Sequence, residues 1–494
     1  MQKIYMLLLL VLSLSSCKKW LDLQPETEIA KDELFKTQEG FQEAINGIYT
    51  HCTDGALYGN ELSFGFLDVM AQNYSFESYN DGWNYIPTSQ FKYKNEYFIE
   101  RSDRVWAGLY KGIVNANLIL ENIDKDKTIF TDNNYGVIKG EALALRAYLH
   151  FDLFRMYGSY AAASKTGIPY VSTYSNKVTA LSSADEVMNN VLTDLEAAKA
   201  LLRTSDSILS PGYLVNYPLV RDSSTERSAR SLFHQNRRHR LNYYAVCGEL
   251  ARAYLYKGDK PNALLNAEEV IRSNKFAWTS QTQFLHVDNK EIDRIGYKEL
   301  IFAWQINKRK DEVTTRFEGS SGKFNILEDP LKFIYESGGS GSVGGEDLRL
   351  KQWFQPIGDK RYNLIKYMRN PNARDEDSTG NKHPLMAPAI RLSEMHYIAA
   401  EAIYESNPAK ALEYLTKVRN VRGIGTPLQV SSYEQMIQEL LKDARKEWFG
   451  EGQLFYMYKR LNRGIVGQVG SLTPPSKEVF ILPLPNNEIE FGGR

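Results

Sequence analysis

Residues 242–271 read NYYAVCGELARAYLYKGDKPNALLNAEEVI, and this stretch decides the fold. Leu250, Ala251, Tyr254, Gly258, Ala263 and Ala267 fall at the intervals of a tetratricopeptide repeat, with its turn at Gly258-Asp259. The small residues let two antiparallel helices approach closely, and Tyr254 fills the groove between them. A looser copy starts at Ile398, with Ala399, Ala400, Ala402 and Ile403, a turn at Asn407-Pro408, then Ala411, Leu412 and Leu415. Pro408 stands at a first helical position, where its missing N–H costs nothing. Fragments of the same kind lie at residues 142–148 and 195–202. One helix pair cannot bury its own apolar face, so several must stack. The spacing predicts a mainly α protein, a tetratricopeptide-like helical superhelix with long irregular insertions.

Outward from the repeats, helical periodicity continues. Residues 35–49 carry Phe35, Phe41, Ile45 and Ile48 on one face, and residues 103–123 place Trp106, Leu109, Tyr110, Ile113, Val114 and Leu120 on a stripe. Residues 137–157 repeat the pattern up to Gly158, and a further helix over 184–202 follows Ser182 and Ser183 as candidate caps. Residues 57–102 and 278–389 lack sustained periodicity and read as irregular; loops of that length are usually functional. No Pro- or Gly-rich linker divides the chain, so residues 17–494 read as a single domain.

The chain opens with Lys3, an apolar run over residues 4–14, and then Leu14-Ser15-Ser16-Cys17. That run suits a signal peptide and falls short of the roughly 20 residues of a membrane-spanning helix. Small residues before a cysteine resemble the lipobox of bacterial lipoproteins. Residues 1–16 are then a signal peptide and Cys17 a lipid anchor, which attaches without spanning; an ordinary secretory signal is the plainer alternative. Hydrophobic content of 43% with 24% charged residues excludes a disordered chain. The 60 basic and 60 acidic side chains balance, giving no reason to expect nucleic acid as a partner. Cys52 and Cys247 read as small buried side chains rather than a disulfide scaffold.

Motifs that could carry chemistry are weak. Gly339 to Gly344 has dinucleotide-loop spacing, but no convincing strand precedes it and Glu346-Asp347 sits where phosphate would lie, so it reads as a surface loop. The seven histidines form no zinc spacing, and no nucleophile elbow is present. No cofactor is expected, although oxygen-rich residues 375–377 leave structural calcium open. Arg227, Arg230, Arg237, Arg238 and Arg240 read as a solvated lead-in to the next helix. Tyr74, Tyr79, Trp83 and Tyr85 lie among Asn73, Asn80, Asp81, Gly82 and Asn84 in an irregular stretch. Aromatic platforms beside amides and carboxylates suit a pyranose, with its apolar C–H faces and ring of hydroxyls. The same residues could instead pin a long loop to the core. Trp353 and Tyr367 are weaker candidates of the same type.

Several blocks, in order, resemble the SusD/RagB family of outer-membrane lipoproteins: Cys17 with Trp20-Leu21-Asp22 and Pro25; Ala44 to Tyr49; Trp106, Tyr110 and Asn115-Ala116-Asn117; Gly140-Glu141-Ala142 with Leu145 to Tyr148; Ile390 to Glu394; Lys446 to Gly452; and Ile481 to Pro485. After Gly452 the chain runs Gln453-Leu454-Phe455-Tyr456-Met457, a departure that bears on the subfamily and its ligand. The resemblance implies a surface-exposed, non-catalytic protein that binds oligosaccharides and hands them to a SusC-like TonB-dependent transporter. A helical glycosidase or lyase, which needs only two suitably spaced carboxylates, and a repeat scaffold binding only proteins are the alternatives.

Overall fold

The computed structural model describes residues 33–77, 81–161, 165–217, 225–229, 231–288, 291–306, 316–317, 324–339, 343–368 and 386–492. Four long helices come first. α1 (Gln38–Cys52) starts at Thr37, whose hydroxyl accepts from the Gly40 amide. α2 (Glu96–Asn122) begins about two turns earlier than the apolar stripe suggests, because Asn95 accepts from the Tyr97 amide and caps it. α3 (Asn134–Tyr157) stops at Gly158. α4 (Ala184–Ser205) opens with a reciprocal capping box between Ser183 and Glu186.

The two repeats form as their spacing predicts. α5 (Tyr243–Lys257) ends at Gly258, whose φ of +89° favours glycine, and Asp259 then caps α6 (Lys260–Arg272). α7 (Leu392–Ile403) and α8 (Pro408–Val421) are the second pair, with Asn407 as cap. Each helix from α2 to α8 packs on the next, so α6 leads directly into α7 although 119 residues separate them in the chain. The fold is therefore mainly α, a tetratricopeptide-like stack. α9 (Tyr433–Glu447) and α10 (Leu454–Leu461) close its C-terminal side.

The segment read as irregular over 278–389 contains strands. β1 (Leu300–Gln305) pairs antiparallel with β5 (Met386–Arg391), and β2 (Asn325–Leu327), β3 (Phe354–Gly358) and β4 (Arg361–Leu364) form a sheet ordered β2-β4-β3. β1 is buried through Trp304 and β5 throughout, so neither shows the alternation by which a half-exposed strand is recognised. Close approach brings β5 onto α5: a Cβ at Gly248 would lie 2.8 Å from Ile390 Cγ2. The β3–β4 hairpin turns at Asp359 and Lys360, both left-handed, with φ of 45° and 56°.

A buried charge lattice joins the strands to the repeat helices. Arg422 donates to Glu299 and Glu447, Arg391 to Glu447 and Glu451, and Arg349 to Asp347, Asp443 and Glu447. Burial alone would raise the Glu447 pKa, but Arg422, Arg391 and Arg349 hold the carboxyl well below its usual range. Glu447 and Glu451 thus have a structural job, tying α9 to β5. Cys52 and Cys247 are free and buried, and burial pushes both thiols up.

Candidate functional site

The arginines at 237, 238 and 240 are not a solvated lead-in; they are buried. Each meets a carboxylate that the linear sequence does not place beside it. Arg237 donates to Asp206 (2.8 and 3.0 Å) and to Glu141 (2.6 Å), while Arg238 forks onto Glu226 (2.7 and 2.8 Å). Burial would push the Asp206 carboxyl up, yet Arg237 and the amides of Ile208 and Tyr243 draw it below its usual range. Arg227 is exposed, and Arg230 lies outside the described residues.

Arg240 builds the site. Its guanidinium lies between the rings of Tyr49 and Phe233, 4.7 and 4.5 Å from their centroids. Its Nε donates to Glu141, its Nη1 donates to Asn46 Oδ1 at 2.5 Å, and its Nη2 is buried with no partner. Trp304, at the end of β1, lies flat on Tyr58 with centroids 4.4 Å apart and planes 10° apart. Its Nε1–H is likewise buried without a partner.

Both side chains line a cleft of about 660 Å³. One wall is the outer face of α1, with Gln42, Asn46, Tyr49 and Thr50; the other is residues 231–240, with Gln235, Asn236 and His239. Gln305 is exposed at the rim, and Leu232 is 82% exposed beside it. Among the described residues lining the cleft none is Asp or Glu. Burial pushes His239 down to about 4, so Arg240 supplies the cleft's charge. An unsatisfied buried donor costs about 1–3 kcal/mol. Both nitrogens, Arg240 Nη2 and Trp304 Nε1, are closed to solvent, so what the cleft presents is the amides of Gln42, Asn46, Gln235, Asn236 and Gln305.

The aromatic candidates fare differently. Tyr74, Tyr85, Trp353 and Tyr367 are core residues, so they offer no ring face to a sugar. The polar neighbours that suggested a pyranose site hold the loop together. Asp81 accepts from the Tyr85 and Ile86 amides, and Tyr85 donates to Glu61 at 2.9 Å. Tyr74 stacks on Phe324 at 4.5 Å and donates to Asp68 at 3.3 Å. Trp353 donates to the Arg294 carbonyl at 2.7 Å, and Tyr367 to that of Gly450 at 2.5 Å. Trp83 is half-buried, with the Arg316 guanidinium 4.0 Å from its ring centroid. Tyr79, Cys17 and residues 375–377 lie outside the described residues. Among the described residues, no group of three or more His, Cys, Asp or Glu is arranged to hold a metal ion.

The cleft was missed because its walls come from α1, residues 231–240 and β1, far apart in sequence. One local signal was available: Trp304 ends the apolar run Leu300-Ile301-Phe302-Ala303, where an indole needs a partner for its N–H.

Stacked helical repeats thus carry an open cleft lined mainly by amide and hydroxyl side chains. A family profile described as "Starch-binding associating with outer membrane" matches residues 19–211, and one described as "SusD family" matches residues 343–487. A SusD-like protein of Formosa agariphila is 23% identical, the match covering 93% of this chain and 91% of the relative. A SusD superfamily structure from Bacteroides thetaiotaomicron shares 21% identity at a TM-score of 0.68, covering 92% of this chain and 98% of that one. Surface glycan-binding protein A of Bacteroides fluxus shares 18% identity at a TM-score of 0.65, covering 92% and 96%. The chain belongs to the SusD/RagB family, glycan-binding proteins associated with the outer membrane. Among the described residues no helix is long and apolar enough to cross a membrane.

Proposed function

We propose that this chain is a lipid-anchored, surface-exposed protein that captures oligosaccharides without cleaving them and delivers them to a SusC-like TonB-dependent transporter. The cleft beside α1 carries this reading: it gathers the amides of Gln42, Asn46, Gln235, Asn236 and Gln305, the chemistry that recognises sugar hydroxyls. Glycoside hydrolysis needs two carboxylates across the scissile bond. The cleft's described lining has none, which favours binding over catalysis. A cleft of this size also favours a small ligand over a purely protein-binding scaffold. Cys17 supplies the anchor in this reading, and residues 17–494 act as one unit behind it.

Incubation of the purified protein with a glycan panel tests the reading. Retention of a glycan with its chain length unchanged is expected; cleavage, or no retention of any glycan, overturns it. Affinity purification from native membranes should recover a β-barrel transporter, and recovery of the protein alone in several gentle detergents overturns delivery. Cys17→Ala should release folded protein into the soluble fraction, and a variant still membrane-bound without its partner overturns the anchor.

A further inference from the structure

We infer that the cleft takes an uncharged glycan, one whose hydroxyls donate to Gln42 Oε1 and Gln235 Oε1 and accept from Asn46 Nδ2. The inference rests on the glycan-binding reading and names the class of glycan. It uses side chains that reach the surface: Asn46 is exposed, Gln42 and Gln235 are half-buried, and together they line both walls of the cleft.

Each of these amides is turned by a partner that can play only one part. Asn46 Oδ1 accepts from Arg240 Nη1, which can only donate, so the Nδ2 donor is left over. Gln235 Nε2 donates to the Ala229 carbonyl at 2.9 Å, which leaves Oε1. Gln42 Nε2 donates to Asn134 Oδ1 at 3.3 Å, and Asn134 is itself turned by donating its Nδ2 to the Thr131 carbonyl at 3.0 Å. Gln42 therefore also has Oε1 to offer. An acceptor needs a partner that carries hydrogen. A sugar hydroxyl both donates and accepts, so it satisfies either kind of group. A carboxylate or sulfate only accepts, and at Gln42 and Gln235 it would set oxygen against oxygen.

The charge around the cleft gives an ion nothing to pair with. Arg237 and Arg240 are balanced by Glu141 and Asp206, which they bind, and Arg238 by Glu226. No described lining residue is acidic, and His239, held down to about 4 by burial, is neutral at pH 7. Taking a charged group out of water is costly where no counter-charge meets it. Tyr49, Phe233 and Trp304 are buried, so they offer no ring face for stacking, and hydrogen bonds to hydroxyls carry the recognition.

Affinity electrophoresis of the full mature chain tests this with three matched pairs: dextran and dextran sulfate, hydroxyethylcellulose and carboxymethylcellulose, and methyl-esterified and free polygalacturonate. Retention by at least one uncharged polymer is expected, with its charged partner roughly ten-fold weaker or more. A charged partner retained equally or better overturns the class and leaves glycan binding standing. Gln42→Met and Gln235→Met keep the length of each side chain and remove its acceptor. Each should weaken retention of the uncharged polymer about five-fold, and the double variant about 25-fold. Unchanged retention in the folded double variant overturns the site; if that variant does not fold, the two single variants decide on the same polymer. Retention of none of the six polymers overturns the inference. No retention anywhere in the wider glycan panel overturns the glycan-binding reading with it.

Discussion

Asn242 ties α5 to β1 through a single amide: its Oδ1 accepts from the Ala245 N–H at 3.1 Å while its Nδ2 donates to the Ile301 carbonyl at 2.8 Å. The same Nδ2 faces the carbonyls of Arg237 (3.2 Å) and Arg240 (3.4 Å), so the cap of a repeat helix also fixes the arginine wall of the cleft. Asn242→Ala removes a cap worth about 0.5–2 kcal/mol and strands a buried carbonyl at about 1–3 kcal/mol. A combined loss of about 2–4 kcal/mol is expected in denaturant unfolding. Asn242→Asp keeps the acceptor and loses the donor, so it should recover part of the cap. Equal losses from both variants would show that the cap contributes nothing.

Glu447 sits among three guanidiniums, and its removal should be among the most damaging changes in the protein. Arg422, Arg391 and Arg349 all donate to it, and all four side chains are buried. Glu447→Gln leaves a buried positive excess, a situation that costs about 3–5 kcal/mol. Chemical denaturation measures this directly; a loss under about 1 kcal/mol would mean that the remaining carboxylates absorb the charge.

His150 makes the fold sensitive to acid. Its Nδ1 donates to the Arg146 carbonyl at 2.8 Å and its Nε2 accepts from the Val171 amide at 2.9 Å, which requires the neutral ring. Burial, reinforced by the charge of Arg146, lowers its pKa to about 3. A depressed folded-state pKa contributes stability that is full above the unfolded value near 6.5 and is lost as pH falls toward 3. The melting temperature should therefore decline from about pH 6.5 downward, and the His150 ring should not titrate by NMR above about pH 4. His150→Gln should flatten the decline without abolishing it, because burial also pushes His239 and His396 down to about 4. A midpoint near 6.5 for His150 would refute the assignment.

The repeats were legible because their information is local. Gly258 with Asp259, Asn407 with Pro408 and Ser183 with Glu186 each mark a helix end within a few residues. The strands were not, because β1 and β5 are buried on both faces and the β3–β4 hairpin turns on Asp359-Lys360 rather than on a glycine. Among the candidate aromatics, sequence could not separate a ring that faces solvent from one whose hydroxyl reaches a buried carboxylate, as Tyr85 reaches Glu61. The cleft depends on Arg240 finding Glu141, 99 residues away, and no local pattern encodes that pairing.

Trp83 is the aromatic candidate of the irregular stretch whose described position leaves it partly exposed. Arg316 covers its ring, and its backbone carbonyl takes a hydrogen bond from Arg101 Nη2 at 2.9 Å. Truncating a half-buried indole should cost less stability than the roughly 3–5 kcal/mol of a fully buried aromatic. Tyr85, whose ring is fully buried under Arg101, is the internal control for that larger loss. If Trp83 stacks on a sugar, Trp83→Ala should weaken glycan binding about five- to ten-fold, the equivalent of roughly 1 kcal/mol for an aromatic contact. Its melting temperature should stay well above that of Tyr85→Ala. Both quantities come from the same two protein preparations, by thermal unfolding and by affinity electrophoresis. Unchanged affinity in Trp83→Ala, together with a stability loss equal to that of Tyr85→Ala, would make Trp83 a pin for the loop rather than a platform for the ligand.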